Sequence, residues 1–484
     1  MSAPAPRVGA PGLATAPGPE DFVATVTPAP AATWQEAQDA AADAGVLVAG
    51  RERAVGGLGV AATLTLPHGL EDAAALDALV AWLARVECRR RGGALAGGPG
   101  FVVALGAFPF DRAARTSLVV PSTAWCREPD GQVWRVEVRR RDGRPPDKTP
   151  AEAASSASSA SSAPSAPWRG RVVDGPAGAG DRPSLHLVPS GARYAEAVAH
   201  AVRRIRAGAL AKVVLGRMVE LELPVPVAAS ALLRELQGEE EGTSARGLSS
   251  PFSPFSVPTP FGRLVGASPE LIIARRGSAV VSHAFAGTVP LSATDGEADE
   301  RRLAESAKDR AEHRLVVDEI VAALEPRCVS LTVPDAPSVV RLRSDARLGT
   351  LIRATLDAPA SPDAPRGAQR QGAGAPDSVL GLLARLHPTP AVGGVPRAVA
   401  LEEIAALEPA PRGYWAGVAG WVDGAGDGEW VLAIRSAELD GRRARVRAGA
   451  GIVSGSEPAR ELAETTVKLR PVLEALWPGV SSRL

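Results

Sequence analysis

Lysine is nearly missing from this chain. Of its 484 residues only four are lysine, Lys148, Lys212, Lys308 and Lys468, although lysine and arginine together number 54. Arginine supplies charge and solubility but does not usefully give up a proton, whereas a buried lysine can shift its pKa and act as a base. A lysine inside the apolar, strand-like run Ala211-Lys-Val-Val-Leu-Gly-Arg217 therefore raises a chemical question. Cysteine is also scarce. Cys88, Cys126 and Cys328 are odd in number, far apart and without CxxC spacing, which argues against a disulfide framework and a zinc site. Net charge is absent, with 54 basic and 54 acidic residues and no long single-sign block. That removes the global electrostatic case for nucleic acid or an anionic membrane as partner. No apolar run approaches the roughly 20 residues needed to span a bilayer. No basic segment followed by an apolar core opens the chain, so no export signal is expected. A soluble cytoplasmic protein is the simplest reading.

What is present is enough apolar material, 45% of the chain, for a large core. Length alone suggests about three domains at roughly 150 residues each. Residues 1–30 are rich in Ala, Pro and Gly and read as a disordered tail. Leu76, Leu79, Trp82 and Leu83 recur at helical spacing and predict a helix over 71–91. Residues 101–110 and 117–121 read as buried strands, and 125–138, broken at Asp130-Gly131, as a hairpin. A Pro/Ala/Ser tract over 142–166 is either a linker or an inserted loop. Ala197, Val198, Ala201, Val202 and Ile205 mark a helix over 194–207, which Gly208 ends before the Lys212 strand. Further inserts are expected at 238–260 and 357–376. Residues 262–275 read as strand, turn and strand with the break at Ser268-Pro269. A long helix is expected over 295–324 and another over 379–386. Strands follow at 414–422, 429–438 and 443–448, with Asp440-Gly441 a hairpin turn. The last helix starts at Ser456-Glu-Pro458 and runs to 476. Helices and strands alternate irregularly, which indicates α+β rather than a doubly wound parallel sheet.

Several residues could carry chemistry. Asp309 and Glu312 stand three apart on one predicted helix, as do Glu461 and Glu464 on another, with Lys468 one turn on. Two such helices could hold a hard cation such as Mg2+, which prefers oxygen ligands. Spacing alone favours the blander reading, ordinary solvated helix faces. Glycines at 417–428 and in Ala448-Gly-Ala-Gly-Ile452 allow either close approach of a ligand or a simple bulge. Arg435, placed in the apolar strand Trp430-Val-Leu-Ala-Ile-Arg435, needs a carboxylate from the protein or from a ligand. His387 taken alone reads as structural, and Glu270 as an ordinary turn carboxylate.

As an ordered set these residues resemble the chorismate-binding enzyme family, that of anthranilate synthase component I, over about 190–476. The landmarks are Lys212-Val-Val-Leu, Gly266-Ala-Ser-Pro-Glu-Leu271, Ala286-Gly-Thr288, Lys308-Asp-Arg-Ala-Glu-His313 and Leu386-His-Pro-Thr-Pro-Ala391. They continue with Gly426-Asp-Gly-Glu-Trp430, Ala433-Ile-Arg435, Ala448-Gly-Ala-Gly-Ile-Val453 and Glu461-Leu-Ala-Glu-Thr465. The resemblance implies one α+β domain over 31–478, two large stacked antiparallel sheets with helices outside. Within it lie an N-terminal half (31–141), a flexible insert (142–168) and a catalytic half (190–478). Members that add ammonia lack a lysine at the position of Lys212, and aminodeoxychorismate synthases carry one where Ala286 stands. The chain therefore sides with the members that add water.

That implies an isochorismate synthase, an isomerase in which Lys212 activates water for attack at C2 and Glu270 protonates the departing C4 hydroxyl. A general base must be deprotonated near neutral pH and a general acid protonated, so the two need opposite environments. By resemblance Glu312 and Glu464 ligate Mg2+, with Asp309 and Glu461 beside them. Arg435 and the backbone at Gly449 meet the enolpyruvyl carboxylate, Lys468 and His387 line the ring-carboxylate side, and Thr288 contacts the substrate. The family also implies a monomer without an amidotransferase subunit. Three positions depart from its pattern: Trp415 for tyrosine, Leu291 for arginine and Arg347 for histidine. The alternatives are salicylate synthase, which goes on to eliminate pyruvate, and an inactive binding or regulatory subunit. Whether the product feeds menaquinone or a siderophore stays open.

Overall fold

The computed structural model describes residues 17–51, 53–90, 100–143, 183–238, 252–291, 295–342, 345–357 and 377–484. The low-complexity tract and the expected insert at 357–376 lie almost wholly outside these residues. The described strands form a 13-stranded and a 10-stranded sheet. All their ladders are antiparallel except that Phe22–Ala29 runs parallel to Glu87–Arg90. This is the expected α+β architecture. Residues before 141 and after 183 supply strands to both sheets.

Four expectations are corrected. Residues 22–29, read as tail, form the strand Phe22–Ala29, paired with Val133–Arg140. Phe22, Ala24 and Val26 alternate inward there, a period-2 signal that the Ala/Pro composition hid. Part of the insert expected at 238–260 is the strand Ser253–Thr259, whose Phe255 and Val257 are buried. The helix expected over 71–91 is Ala73–Arg85, capped by Asp72 and followed by the strand Glu87–Arg90. The single helix expected over 295–324 is two, Gly296–Glu305 and Ala307–Leu324. Ser306 divides them because its side chain accepts from the Asp309 N–H and caps the second helix.

The helices Gly191–Arg206 and Pro458–Leu476 pack on each other and on the strands Lys212–Glu222 and Arg443–Ile452. Those two strands pair with Gly216 opposite Gly449 and Val214 opposite Gly451. The feature that creates a site lies elsewhere, where two of the chain's changes of sheet lie side by side. Gly262–Ser268 belongs to the larger sheet and Leu271–Arg276 to the smaller; Gly428–Leu432 belongs to the smaller and Ser436–Asp440 to the larger. The two crossings are neighbours, since each strand of the first pairs with a strand of the second. The Leu432 N–H donates to the Glu270 carbonyl at 3.0 Å, and the Ala267 N–H donates to the Arg435 carbonyl at 3.2 Å. Arg435 is thus not inside a strand, as its apolar neighbours suggested. It sits in the crossing at φ +52°, a conformation that non-glycine residues adopt at a cost and that concentrates at functional sites.

Candidate active site

Between these crossings, the strand pair at Lys212 and the helices Ala307–Leu324 and Pro458–Leu476 lies a cavity. Glu270, Thr288, Glu312, Arg347, Arg435, Gly449, Glu464 and Lys468 reach its wall, with Trp415 closing one side. Thr288 follows Gly287, where the strand Ala279–Pro290 bulges. Gly287 has φ +75°, and a Cβ there would stand 2.9 Å from that of Asp309, so only glycine lets strand and helix approach.

Strand alternation puts Val214 on the cavity wall, with Val213 and Leu215 in the core behind it. Lys212 heads the same face and is wholly buried. Its Nζ lies 2.9 Å from Glu312 Oε1, a charge contact rather than an aligned hydrogen bond. Burial pushes the Glu312 carboxyl up, but the ammonium of Lys212, with those of Lys468 and Lys308, holds it below the usual carboxylate range. Gly451 makes the room. A Cβ on it would lie 2.2 Å from Glu312 Oε1 and 3.0 Å from Lys212 Cε. Lys212 therefore stands behind the wall, its amine against Glu312, which lines the cavity.

The other described lysines repeat the pattern. Lys468 Nζ donates to Glu464 Oε1 at 2.6 Å and to the Gly449 carbonyl at 3.1 Å. Lys308 Nζ donates to Glu461 Oε1 at 3.1 Å. All three described lysines are thus paired with carboxylates that the sequence singled out as metal ligands.

Glu270 behaves oppositely. Burial pushes its carboxyl up to about 8, against the opposing charges of Arg347, Lys212 and Lys468. It is neutral at pH 7 and able to donate a proton. Its placement follows from Ser268-Pro269: the Ser268 hydroxyl accepts from the Glu270 N–H at 3.2 Å and fixes the turn between sheets.

Glu312 and Glu464 reach the wall, whereas Asp309 and Glu461 lie behind it. Burial raises Glu461, and the Glu464 charge raises it further; burial also raises Asp309. Glu461 Oε2 is buried without a well-formed hydrogen bond. Among the described residues no three such groups stand close enough to enclose an ion by themselves. Two wall carboxylates backed by an orphaned carboxylate oxygen fit a hard divalent cation that retains other ligands.

The remaining predicted residues divide. Arg435 donates to the Lys468 carbonyl at 2.6 Å and to Asp345. His387 is wholly buried but not on the wall; it meets the Phe110 ring edge-on, and burial lowers its pKa to about 3. Leu291, a departure from the family pattern, packs in a small apolar cluster with Leu303 and Leu348. Trp415 leans on the backbones of Gly216 and Gly449, where a Cβ would stand 2.6 and 3.1 Å from its ring, with Arg412 stacked over it. Sequence reasoning missed Asp345. This fully buried carboxylate takes Arg347 at 2.9 Å and also Arg435. Its position two residues before Arg347 on a strand, hence on the same face, was the available signal.

A buried carboxyl, several cations and carboxylates from two helices share this cavity, and the family model that matches the chain is that of the chorismate-binding enzymes. The sequence model of that family matches residues 179–477, and the chain belongs to it. Over 303 residues it is 41% identical to isochorismate synthase DhbC of Bacillus subtilis, covering 62% of this chain and 71% of that protein. Over 291 residues it is 37% identical to the vibriobactin-specific isochorismate synthase of Vibrio cholerae, covering 59% and 67%. The solved structure of DhbC from Bacillus anthracis superposes with a TM-score of 0.67 at 30% identity, covering 90% of this chain and 96% of that one. No helix among the described residues is long and apolar enough to cross a membrane.

Proposed function

We propose that the chain is an isochorismate synthase that converts chorismate to isochorismate by adding water at C2 and losing the C4 hydroxyl. The observation that carries this is that one site brings together a buried carboxyl and a buried lysine in different settings. Glu270, protonated up to about pH 8, lines the cavity, and Lys212 lies behind its wall beside Glu312.

Lys212 acts in its neutral amine form, not as the ammonium that pairs with Glu312, and takes a proton from water as the water oxygen bonds to C2. The ring double bond shifts, the C4–O bond breaks, and Glu270 supplies the proton that lets the hydroxyl leave as water. One water enters and one departs, so the net change is an isomerisation. Arg435 and the Gly449 backbone take the enolpyruvyl carboxylate, Lys468 the ring-carboxylate side, and Thr288 lies alongside. His387, set back from the wall, is given no contact here. Glu312 and Glu464, supported by Asp309 and Glu461, would hold Mg2+, whose charge offsets that of the ring carboxylate. A monomer working in the cytoplasm without an amidotransferase partner completes the proposal.

The test is incubation of purified protein with chorismate and Mg2+, with products resolved by chromatography. Isochorismate is expected. Salicylate plus pyruvate would replace this reading with salicylate synthase, and no turnover would leave a binding subunit.

A further inference from the structure

Arg347 is a cavity cation to which the mechanism above gives no task. It lies in the strand Asp345–Leu356, is 5% exposed and reaches the wall. Its Nε donates to Asp345 Oδ1 at 2.9 Å and its Nη2 to Oδ2 at 3.3 Å, which fixes one edge of the guanidinium. The same Oδ2 accepts from Arg435 Nη2, so one buried carboxylate holds two guanidiniums side by side. Burial works against ionisation of Asp345, but the charges of Arg347 and Arg435 bring it down to about 2.

The other wall charges leave little to answer this excess. Glu312 faces Lys212, Glu464 faces Lys468, and Glu270 is neutral at pH 7. A guanidinium held at the wall of a largely desolvated cavity favours an anion there. Guanidinium forks suit a carboxylate, and here one edge of the fork is already fixed by Asp345.

We infer that Arg347, oriented by Asp345, grips the same substrate carboxylate as Arg435, making a two-guanidinium anchor for the enolpyruvyl group. This rests on the proposed function and adds a substrate-binding residue and a positioning residue to it.

The experiment compares wild type, Arg347→Met, Arg347→Lys and Asp345→Asn in turnover of chorismate and of its enolpyruvyl methyl ester, with thermal melts of each. Arg347→Met should raise KM for chorismate by about tenfold or more, as expected for a lost charge-assisted hydrogen bond, and change kcat less. Wild type should prefer the acid to the ester, and that preference should shrink about tenfold in Arg347→Met. Arg347→Lys should recover part of both, and Asp345→Asn should fall between. An Arg347→Met protein that melts lower yet keeps the wild-type KM and ester discrimination would make the cluster purely structural and overturn the inference. Should Arg347→Met fail to fold, Arg347→Lys decides alone, because unchanged KM and discrimination there also overturn it. Wild type without turnover of chorismate would instead sink the functional reading beneath it.

Discussion

The most demanding perturbation is a single methyl group, Gly451→Ala. The new Cβ would lie 2.2 Å from Glu312 Oε1 and 3.0 Å from Lys212 Cε, whereas ordinary contact begins at 3.4 Å. The shortfall at the carboxylate is therefore roughly 1 Å. Backbone does not absorb it, because the atoms in the way are ends of side chains, so the fold survives. Overpacking of this kind costs about 1–3 kcal/mol. The price falls on geometry instead: Glu312 must swing away from Lys212, and the proposed base loses its neighbour. A misplacement of about 1 Å at reacting groups costs on the order of a hundredfold in rate. Steady-state kcat with chorismate and Mg2+, paired with a thermal melt, checks this. We expect a folded protein with kcat down about a hundredfold. A Gly451→Ala enzyme within about threefold of wild type would refute the claim that the Lys212–Glu312 contact is held by the absence of a side chain at 451.

Three further outcomes follow from the same geometry. Because Glu270 must be protonated to act, kcat should decline as pH rises through about 8, and Glu270→Gln should lose about 10²–10⁴-fold in kcat. A carboxyl raised on folding contributes stability at low pH that is lost as pH climbs from the ordinary glutamate range through about 8. Glu270→Gln should therefore melt higher than wild type at pH 9, and melts that are parallel at all pH values would contradict the burial argument. Chelation with EDTA should abolish turnover, with Mg2+ restoring it in wild type but not in Glu464→Gln; full activity in EDTA would remove the cation from the reaction. Lysine-to-arginine exchanges should separate charge from proton transfer. Lys308→Arg, at a half-exposed site behind the wall, should keep kcat within about threefold, and Lys212→Arg should lose it about a hundredfold or more. Equal effects in both assays would mean that Lys212 supplies only charge.

Much of this was legible in the chain. The Lys212 strand, the helix ended by Gly208, the Asp440-Gly441 turn and the Pro458 start of the last helix appear where local chemistry put them, with Gly208 and Gly441 at positive φ. Those features are set by residues within one turn of each other. What was not legible depended on partners far away. Phe22–Ala29 is a strand because Val133–Arg140 lies beside it, more than a hundred positions on. The run ending at Arg435 reads as one strand from its apolarity, but the sheet that its first half joins is not the sheet that receives Ser436–Asp440. Period-2 patterning carries no mark of which sheet a strand enters. Asp345 escaped notice for the same reason, since its significance lies in Arg435, ninety residues later.

The two sheet crossings explain why the proposed acid, Glu270, and the proposed anion anchor, Arg435, lie together. A residue inside a ladder has its backbone committed to neighbours on both sides and its side chain to one face of one sheet. A residue at a crossing faces the space between the sheets, and here two crossings are tied by reciprocal backbone bonds, Leu432 to Glu270 and Ala267 to Arg435. Any shift of Glu270 is thereby transmitted to Arg435 through two peptide contacts. Lys212 comes from a strand that never changes sheets, braced by helices on its outer face. In the proposed mechanism water attacks one ring carbon and the hydroxyl departs from another on the opposite face. A continuous strand would hold the base, and a break between strands would present the acid. On this argument the glycines and the Ser-Pro turn that permit the breaks matter to the proposed catalysis as much as the charged residues they place.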